Sequence, residues 1–578
     1  MLQHIKIASV KYRRVVTPVL FGVFVVLWSI GFPWFIQGIF FFYGAFIFWT
    51  LSTVRKTWSR APHAISSPTE PPTGASRWVA FAAISSLGFL LATRLVPFIR
   101  FGEAPLGYDT GFYVGSLKAL ASPTTLTISA LYLTLIPFFA AGLPPLFLFH
   151  FFHVLFQLFL AGSVYFLISS LSIPFRNRLA TCAMALFSLS AVQFLGYWWA
   201  FTQQMLGMGF FLIALALLIR GSPWMIVFVP MTLLMHTSTG AALFLSLIVL
   251  SIIYSVQLCF KRRYVYPRAA KMLAAGVLLA SIAFMIKRSD IANVFSHVLG
   301  TYGILLSNAP PERLNEFRGL FVDTEAFRLL VLGFIPFSIF TVLHPSTWIR
   351  QPISRSFFYR QLLLLYSALL TLLLLTLLPV IYQSRFSIVL DLIVLVFATP
   401  AFLLFVEYFS TDRAGRLLVG LLLTFPLVSI GLYVAQQQSM IASYELQNIK
   451  KIPSLIGAGA GILATDSLYA PWLWGLVGPN TVSPGYLGDS WDYATWMKFW
   501  SGTSNEKRLQ LLGSRDHPQP PMYLYIGERQ TRGLPFEKFV RTSSAFTQIT
   551  PNLWKFTADP RAQPAPSLTA PASGTTTP

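Results

Sequence analysis

The sequence predicts a polytopic α-helical membrane protein. It reads as about thirteen transmembrane helices, N-terminus inside and C-terminus outside, with a small extracytoplasmic α/β domain at the C-terminal end. Three observations carry this prediction. The chain has 578 residues, of which 55% are hydrophobic, 16% aromatic and only 11% charged, an apolar load that no soluble core hides. Apolar runs long enough to cross a bilayer recur along the chain until about residue 434. The net charge is +22, but Lys and Arg stand mostly in short loops between those runs, where they set topology. That distribution points to membrane lipid and away from nucleic acid.

Taken in order, a basic start (Lys6, Lys11, Arg13, Arg14) precedes apolar segments 15–31 and 33–51, and Arg55, Lys56 and Arg60 follow them. Residues 1–60 read as a hairpin with both ends in the cytoplasm. Residues 61–76 form a cytoplasmic Pro-rich linker. A transmembrane core then spans 77–434. Segment 78–97 crosses outward, which puts loop 98–143 outside. Segments 144–171, 179–196, 204–219, 222–235, 238–257, 270–286, 326–343, 361–381, 386–408 and 417–434 alternate thereafter, and basic clusters such as Lys261–Arg263 fall on the inner side. Tyr197-Trp198-Trp199 reads as an interfacial aromatic cluster at the end of segment 179–196. A second long outer loop covers 287–325.

From 435 the composition changes and Pro, Gly and Trp recur. Met522–Ile526 reads as a strand, Ala545–Ile549 with Leu553–Thr557 as a strand pair, and Glu506–Leu512 as a helix. The domain is expected over 435–561, followed by a disordered tail, 562–578. The two cysteines, Cys182 and Cys259, lie within or beside apolar runs and read as packing residues rather than as a disulfide framework.

Only three acidic residues occur in the first half of the chain: Glu70, Glu103 and Asp109. Glu70 is in the linker, while Glu103 and Asp109 share one outer loop, Asp109 within Pro105-Leu-Gly-Tyr-Asp-Thr-Gly. A carboxylate beside lipid is costly and is a functional hypothesis. Asp109 can take a proton from a hydroxyl or hold a divalent cation. Standing before a predicted helix over 112–121, it can equally serve as that helix's N-cap. Tyr108 and Tyr113 flank it. The topology puts His150, His153, Gln203, Gln204, His236 and Arg385 at outer ends of spans, where a topological need for polar residues is the plainer explanation of any one of them. His150 and His153, three apart, share a helix face. Arg385 sits between two spans on the side where basic residues are scarce, and its fork suits a phosphate; a snorkelling interfacial Arg is the alternative. Asp391 lies inside segment 386–408 and reads as structural, paired with a neighbouring helix or with Arg385.

This pattern resembles the GT-C superfamily of polytopic glycosyltransferases, on the strength of its many spans, the acid of Gly107-Tyr108-Asp109 in an outer loop and the outer C-terminal domain. The resemblance implies a polyprenyl-phosphate-linked sugar donor, transferred to a lipid, glycan or protein acceptor. It implies Asp109 as general base or metal ligand, and Arg385 in Ser384-Arg385-Phe386 as a contact to the donor phosphate. It brings in a divalent cation, Mg or Mn, but the paired acids common in that loop are absent here, which leaves the metal set unknown. Ser490-Trp491-Asp492-Tyr493 looks like part of a signature of the oligosaccharyltransferase branch, lacking its first Trp and its Gly. An oligosaccharyltransferase-like enzyme, a transporter and a non-catalytic scaffold are the rival readings. A transporter would need broken helices and ionisable residues at mid-membrane.

Overall fold

The computed structural model describes residues 73–557, apart from 104–106, 108, 121–129, 172–175, 260–275, 279–280, 282–351, 378–382, 410–412 and short stretches of the C-terminal region (458, 479, 485–490, 492, 503, 515–520 and 529–533). The hairpin 1–60, nearly all of the linker, the loop 287–325, segment 326–343 and the tail 562–578 lie outside the described residues, as do Tyr108 and Asp492. The described chain is mostly helical, with a small sheet in its C-terminal region.

The helices in order are α1 (Thr73–Phe101), α2 (Thr110–Leu120), α3 (Ala130–Ala140), α4 (Pro145–Ser169), α5 (Arg176–Leu189), α6 (Ala191–Trp198), α7 (Thr202–Arg220), α8 (Met225–Met235), α9 (Thr237–Cys259), α10 (Pro352–Leu377), α11 (Gln383–Phe409) and α12 (Arg413–Gln436). Among the described residues four helices are long and apolar enough to cross a membrane: Val79–Phe101, Pro145–Ser169, Thr202–Arg220 and Thr237–Ser255. The α5–α6 pair makes a fifth if read as one span, bent by 55°. The run expected as one continuous span over 179–196 is therefore broken. Ser190 causes the break: its side chain accepts the Gln193 N–H at 3.2 Å, caps α6 and stops α5 from propagating. The apolar helix α3, inside what reads as the loop 98–143, is an element the sequence reading lacks.

Contacts divide the chain into two compact units. The first holds the described residues up to Gly107 and from Ala130 to Ser439. In it α4 packs on α5 and α7, α7 on α8, α10 on α9 and α11, and α1 on α5. Its core is largely apolar, with Leu160, Val164, Phe187, Phe211, Leu215, Leu392 and Ile393 all buried. Tyr197 and Trp198 are buried in this core as well. Cys182 is a free, half-buried thiol.

The second unit joins α2 to everything from Met440 onward. Its further elements are α13 (Ser443–Leu455), β1 (Gly461–Ala464), α14 (Ala470–Leu476), β2 (Thr481–Val482), α15 (Tyr493–Met497), α16 (Asn505–Gly513), β3 (Met522–Tyr525), α17 (Leu534–Thr542), β4 (Phe546–Thr550) and β5 (Leu553–Phe556). The sheet order is β2-β1-β3-β5-β4. Strand β1 is parallel to β2 and β3, and β5 is antiparallel to β3 and β4. The β1 burial pattern is apolar on both faces, as a parallel central strand requires. Trp496, Phe499, Leu524 and Phe536 form the core on one side. Helix α2 docks on α14 through glycines: a Cβ on Gly111 would meet the Pro471 carbonyl oxygen at 2.5 Å, and one on Gly115 would meet the Gly475 Cα at 2.8 Å. Phe112 stacks on Trp474 with centroids 4.9 Å apart, and Lys118 Nζ donates to the Gly475 carbonyl at 3.1 Å.

Candidate functional site

In the helical unit, polar side chains gather where α8 gives way to α9 and where α11 begins. His236 ends α8 in an extended conformation and stands just before α9. The first N–H groups of a helix lack intrahelical acceptors. The His236 ring supplies one: its Nδ1 lies 3.3 Å from the Thr239 backbone N–H, which donates to it, and 2.8 Å from Thr239 Oγ1. With Nδ1 accepting, the proton of the neutral ring belongs on Nε2. That nitrogen faces Arg385 Nη1 at 3.3 Å. Arg385 can only donate, so this contact is a hydrogen bond from Nη1 in the tautomer whose Nδ1–H faces Thr239 Oγ1, and in either tautomer the guanidinium is a donor that an anionic oxygen can take. Gly207 on α7 makes room for the ring, since a Cβ there would come within 2.7 Å of His236 Cβ. The Arg385 backbone is held by Gln204 Nε2, which donates to its carbonyl at 2.6 Å, and its guanidinium lies over Phe201, 4.7 Å from the ring centroid. Arg385 is half-buried and His236 is buried.

The other predicted histidines behave differently. His153 is buried; its Nε2 donates to the Tyr197 carbonyl at 2.8 Å and its Nδ1 lies 3.0 Å from Thr202 Oγ1. It stacks on Tyr197 and holds α4 to the α6–α7 corner. Both ring nitrogens are taken, so His153 is a packing histidine in this conformation. His150, a turn away, packs on Phe98 at 4.9 Å between centroids. Gln203 is half-buried on α7, and Glu103 is exposed just past α1.

Asp109 and Tyr113 belong to the second unit. Asp109 takes the N-cap position of α2, its carbonyl accepting the Tyr113 N–H at 3.0 Å, and it is half-buried. The N-cap reading of the sequence therefore describes its backbone. An ionised carboxylate at a helix N-terminus is also favoured by the dipole there. Tyr113 is buried. Gly107, in the helical unit, has φ 78°, and a Cβ there would come within 2.5 Å of the Trp199 carbonyl oxygen.

Among its described residues the bundle buries two charged side chains, of which the sequence reading missed one. Arg94 on α1 is 0% exposed; Nη1 donates to Thr93 Oγ1 at 3.1 Å, and the guanidinium lies 5.0 Å from the Phe194 centroid and 5.5 Å from that of Tyr197. Nothing but an Arg in a long apolar run marks it in the sequence. Asp391 does pair with a neighbouring helix, through Ser190 and Gln193 of the α5–α6 break.

Among the described residues no three His, Cys, Asp or Glu side chains converge as a metal site would need, so no step below is routed through a metal. Compared with known proteins, the chain matches no protein-family model and no curated protein.

Proposed function

We propose that the protein is a membrane glycosyltransferase of the GT-C type. It moves a sugar from a polyprenyl-phosphate-linked donor to a lipid, glycan or protein acceptor on the extracytoplasmic side. The proposed chain has about thirteen spans, with its N-terminus inside and its C-terminal domain outside. The observation that carries the reading is the pair of Arg385 Nη1 and His236 Nε2, 3.3 Å apart, at the ends of apolar helices. An arginine fork with a histidine ring beside it, at the ends of apolar helices, suits the phosphate of a donor whose tail stays among those helices.

In this reading Arg385 and His236 hold the phosphate oxygens and Phe201 fixes the guanidinium. The acceptor oxygen attacks the anomeric carbon as the bond from that carbon to the phosphate oxygen breaks. The electron pair leaves on the phosphate, where the Arg385 charge stabilises it. The family resemblance, and no placement of the two units, assigns to Asp109 the general-base role of taking the acceptor hydroxyl's proton, worth about 10²–10⁴-fold. A phosphate leaves without strong protonation, so one carboxylate suffices, unlike hydrolysis of a glycoside, where a second acid assists the leaving group. Asp109→Asn in membranes supplied with a polyprenyl-phosphate sugar should lose transfer by at least about 100-fold. Full activity in that variant overturns the role of Asp109.

A further inference from the structure

The broken span holds a second polar centre that glycosyl transfer does not use. Helices α5 and α6 meet at Ser190 with a 55° bend, and Asp391 of α11 reaches into the break. Its Oδ2 accepts from Ser190 Oγ at 2.8 Å and from Gln193 Nε2 at 2.8 Å. Gln193 Nε2 also donates to the Ile388 carbonyl at 2.9 Å. Those two acceptors fix the amide orientation, because turning it over would set Oε1 against two oxygens. Gln193 Oε1 therefore faces away from them. Both that oxygen and Asp391 Oδ1 are buried and lack a hydrogen-bond partner. Asp391 is 0% exposed and Gln193 1%. Among the described residues Asp391 has no ion-pair partner.

Unmet oxygens in an apolar bundle cost free energy, and an unpaired carboxylate costs far more. A proton on Asp391 would cancel the charge and turn Oδ1 into a donor. A cation would cancel the charge and take both oxygens as ligands. At the break the negative C-terminal end of α5 meets the positive N-terminal end of α6, so the attraction for a cation comes from the Asp391 charge. Interrupted membrane helices use such carbonyl ends to coordinate small ions. One carboxylate balances one positive charge, and the full burial of both oxygens excludes a hydrated ion. We infer that Asp391, Gln193 Oε1 and the α5–α6 break form a binding site for a monovalent cation of sodium size.

The test uses the full chain in detergent. Its unfolding midpoint is compared in sodium, potassium and choline chloride at equal ionic strength, because a ligand that binds only the folded state raises that midpoint. The site predicts a saturable rise with sodium, a smaller one with potassium and none with choline. Asp391→Asn and Gln193→Leu should each lose most of the sodium increment. Should either variant fail to fold, saturable binding of radioactive sodium to the wild-type protein, displaced by unlabelled sodium but not by choline, decides the matter. Equal midpoints in sodium and choline, an absence of saturable sodium binding, or a full increment in a folded Asp391→Asn protein each overturn the site. A potassium response as large as that of sodium overturns its size. None of these outcomes depends on sugar transfer.

Discussion

Arg508 and Arg94 are both buried arginines, 5% and 0% exposed, yet their surroundings differ in kind. Arg508, in the α/β unit, donates from Nε to the Phe499 carbonyl at 2.8 Å, from Nη1 to Asn505 Oδ1 at 3.0 Å and from Nη2 to the Trp500 carbonyl at 3.3 Å. Arg94, in the helical bundle, has one hydroxyl and two aromatic faces, and its Nε and Nη2 are without hydrogen-bond partners. The contrast follows from the backbone. A turn after a short helix leaves carbonyls free to ring a cation, whereas long apolar helices have spent theirs on the helix. The bundle can offer only side chains. Unmet polar groups there are expensive, and where they persist they mark candidate chemistry.

The acids do not repeat it. Glu445 Oε1, in the α/β unit, accepts from the Tyr525 hydroxyl at 3.0 Å and the Glu528 N–H at 3.1 Å, joining α13 to the end of β3. Asp391 Oδ2 in the bundle likewise takes both of its donors, Ser190 Oγ and Gln193 Nε2, so each acid is held through one oxygen.

The largest effect should come from Arg508→Ala. It strands the Phe499 and Trp500 carbonyls, and with charge-assisted bonds worth about 1.5–3 kcal/mol each, the α/β unit should lose at least about 3 kcal/mol. Thermal unfolding followed by Trp fluorescence reads this, and an unchanged midpoint would break the comparison at its satisfied end. A smaller effect comes from Tyr525. Burial first, then the charge of Glu445 and the hydrogen bond to it, hold its hydroxyl well above the ordinary tyrosine range. The folded state keeps a proton that the unfolded chain releases near pH 10. Stability is thus full below about pH 10 and falls as pH rises beyond it. Tyr525→Phe, which cannot ionise, should show a shallower alkaline decline, and an equally steep one removes this contribution. The smallest effect is expected from Arg94→Met. Replacing a poorly met buried charge by an apolar side chain of similar length is commonly near neutral, so the midpoint should move by less than about 1 kcal/mol equivalent. A loss as large as that of Arg508→Ala would mean that Arg94 is as well held as Arg508.

Much of the architecture was legible because apolar periods and caps are local. Long runs gave α4, α7, α9 and α11 within a few residues, and alternation gave β3 and the β4–β5 pair. The α5–α6 break was not read, although its cap, Ser190 on the Gln193 N–H, is local; what no local pattern announces is the Asp391 contact to Ser190 from 201 positions away. Nor was the allegiance of α2, whose Gly111 and Gly115 fit α14 only once the chain has folded. At the site, Arg385 and His236 could be named from topology, but their pairing rests on the Thr239 N–H fixing the His236 ring, which no spacing announces. His153 looked like its equal in sequence and is instead bound at both ring nitrogens. The Asp109 backbone matches the N-cap reading, and its chemistry awaits the transfer assay.

The most direct measurement is equilibrium binding of polyprenyl phosphate to the purified full-length protein and to its Arg385→Ala variant. The proposed phosphate contact predicts saturable binding to the wild type, weakened about tenfold or more in the variant, since a charge-assisted contact is worth about 1.5–3 kcal/mol. Equal affinity of the two proteins would contradict the assignment of the Arg385–His236 pair to the donor phosphate.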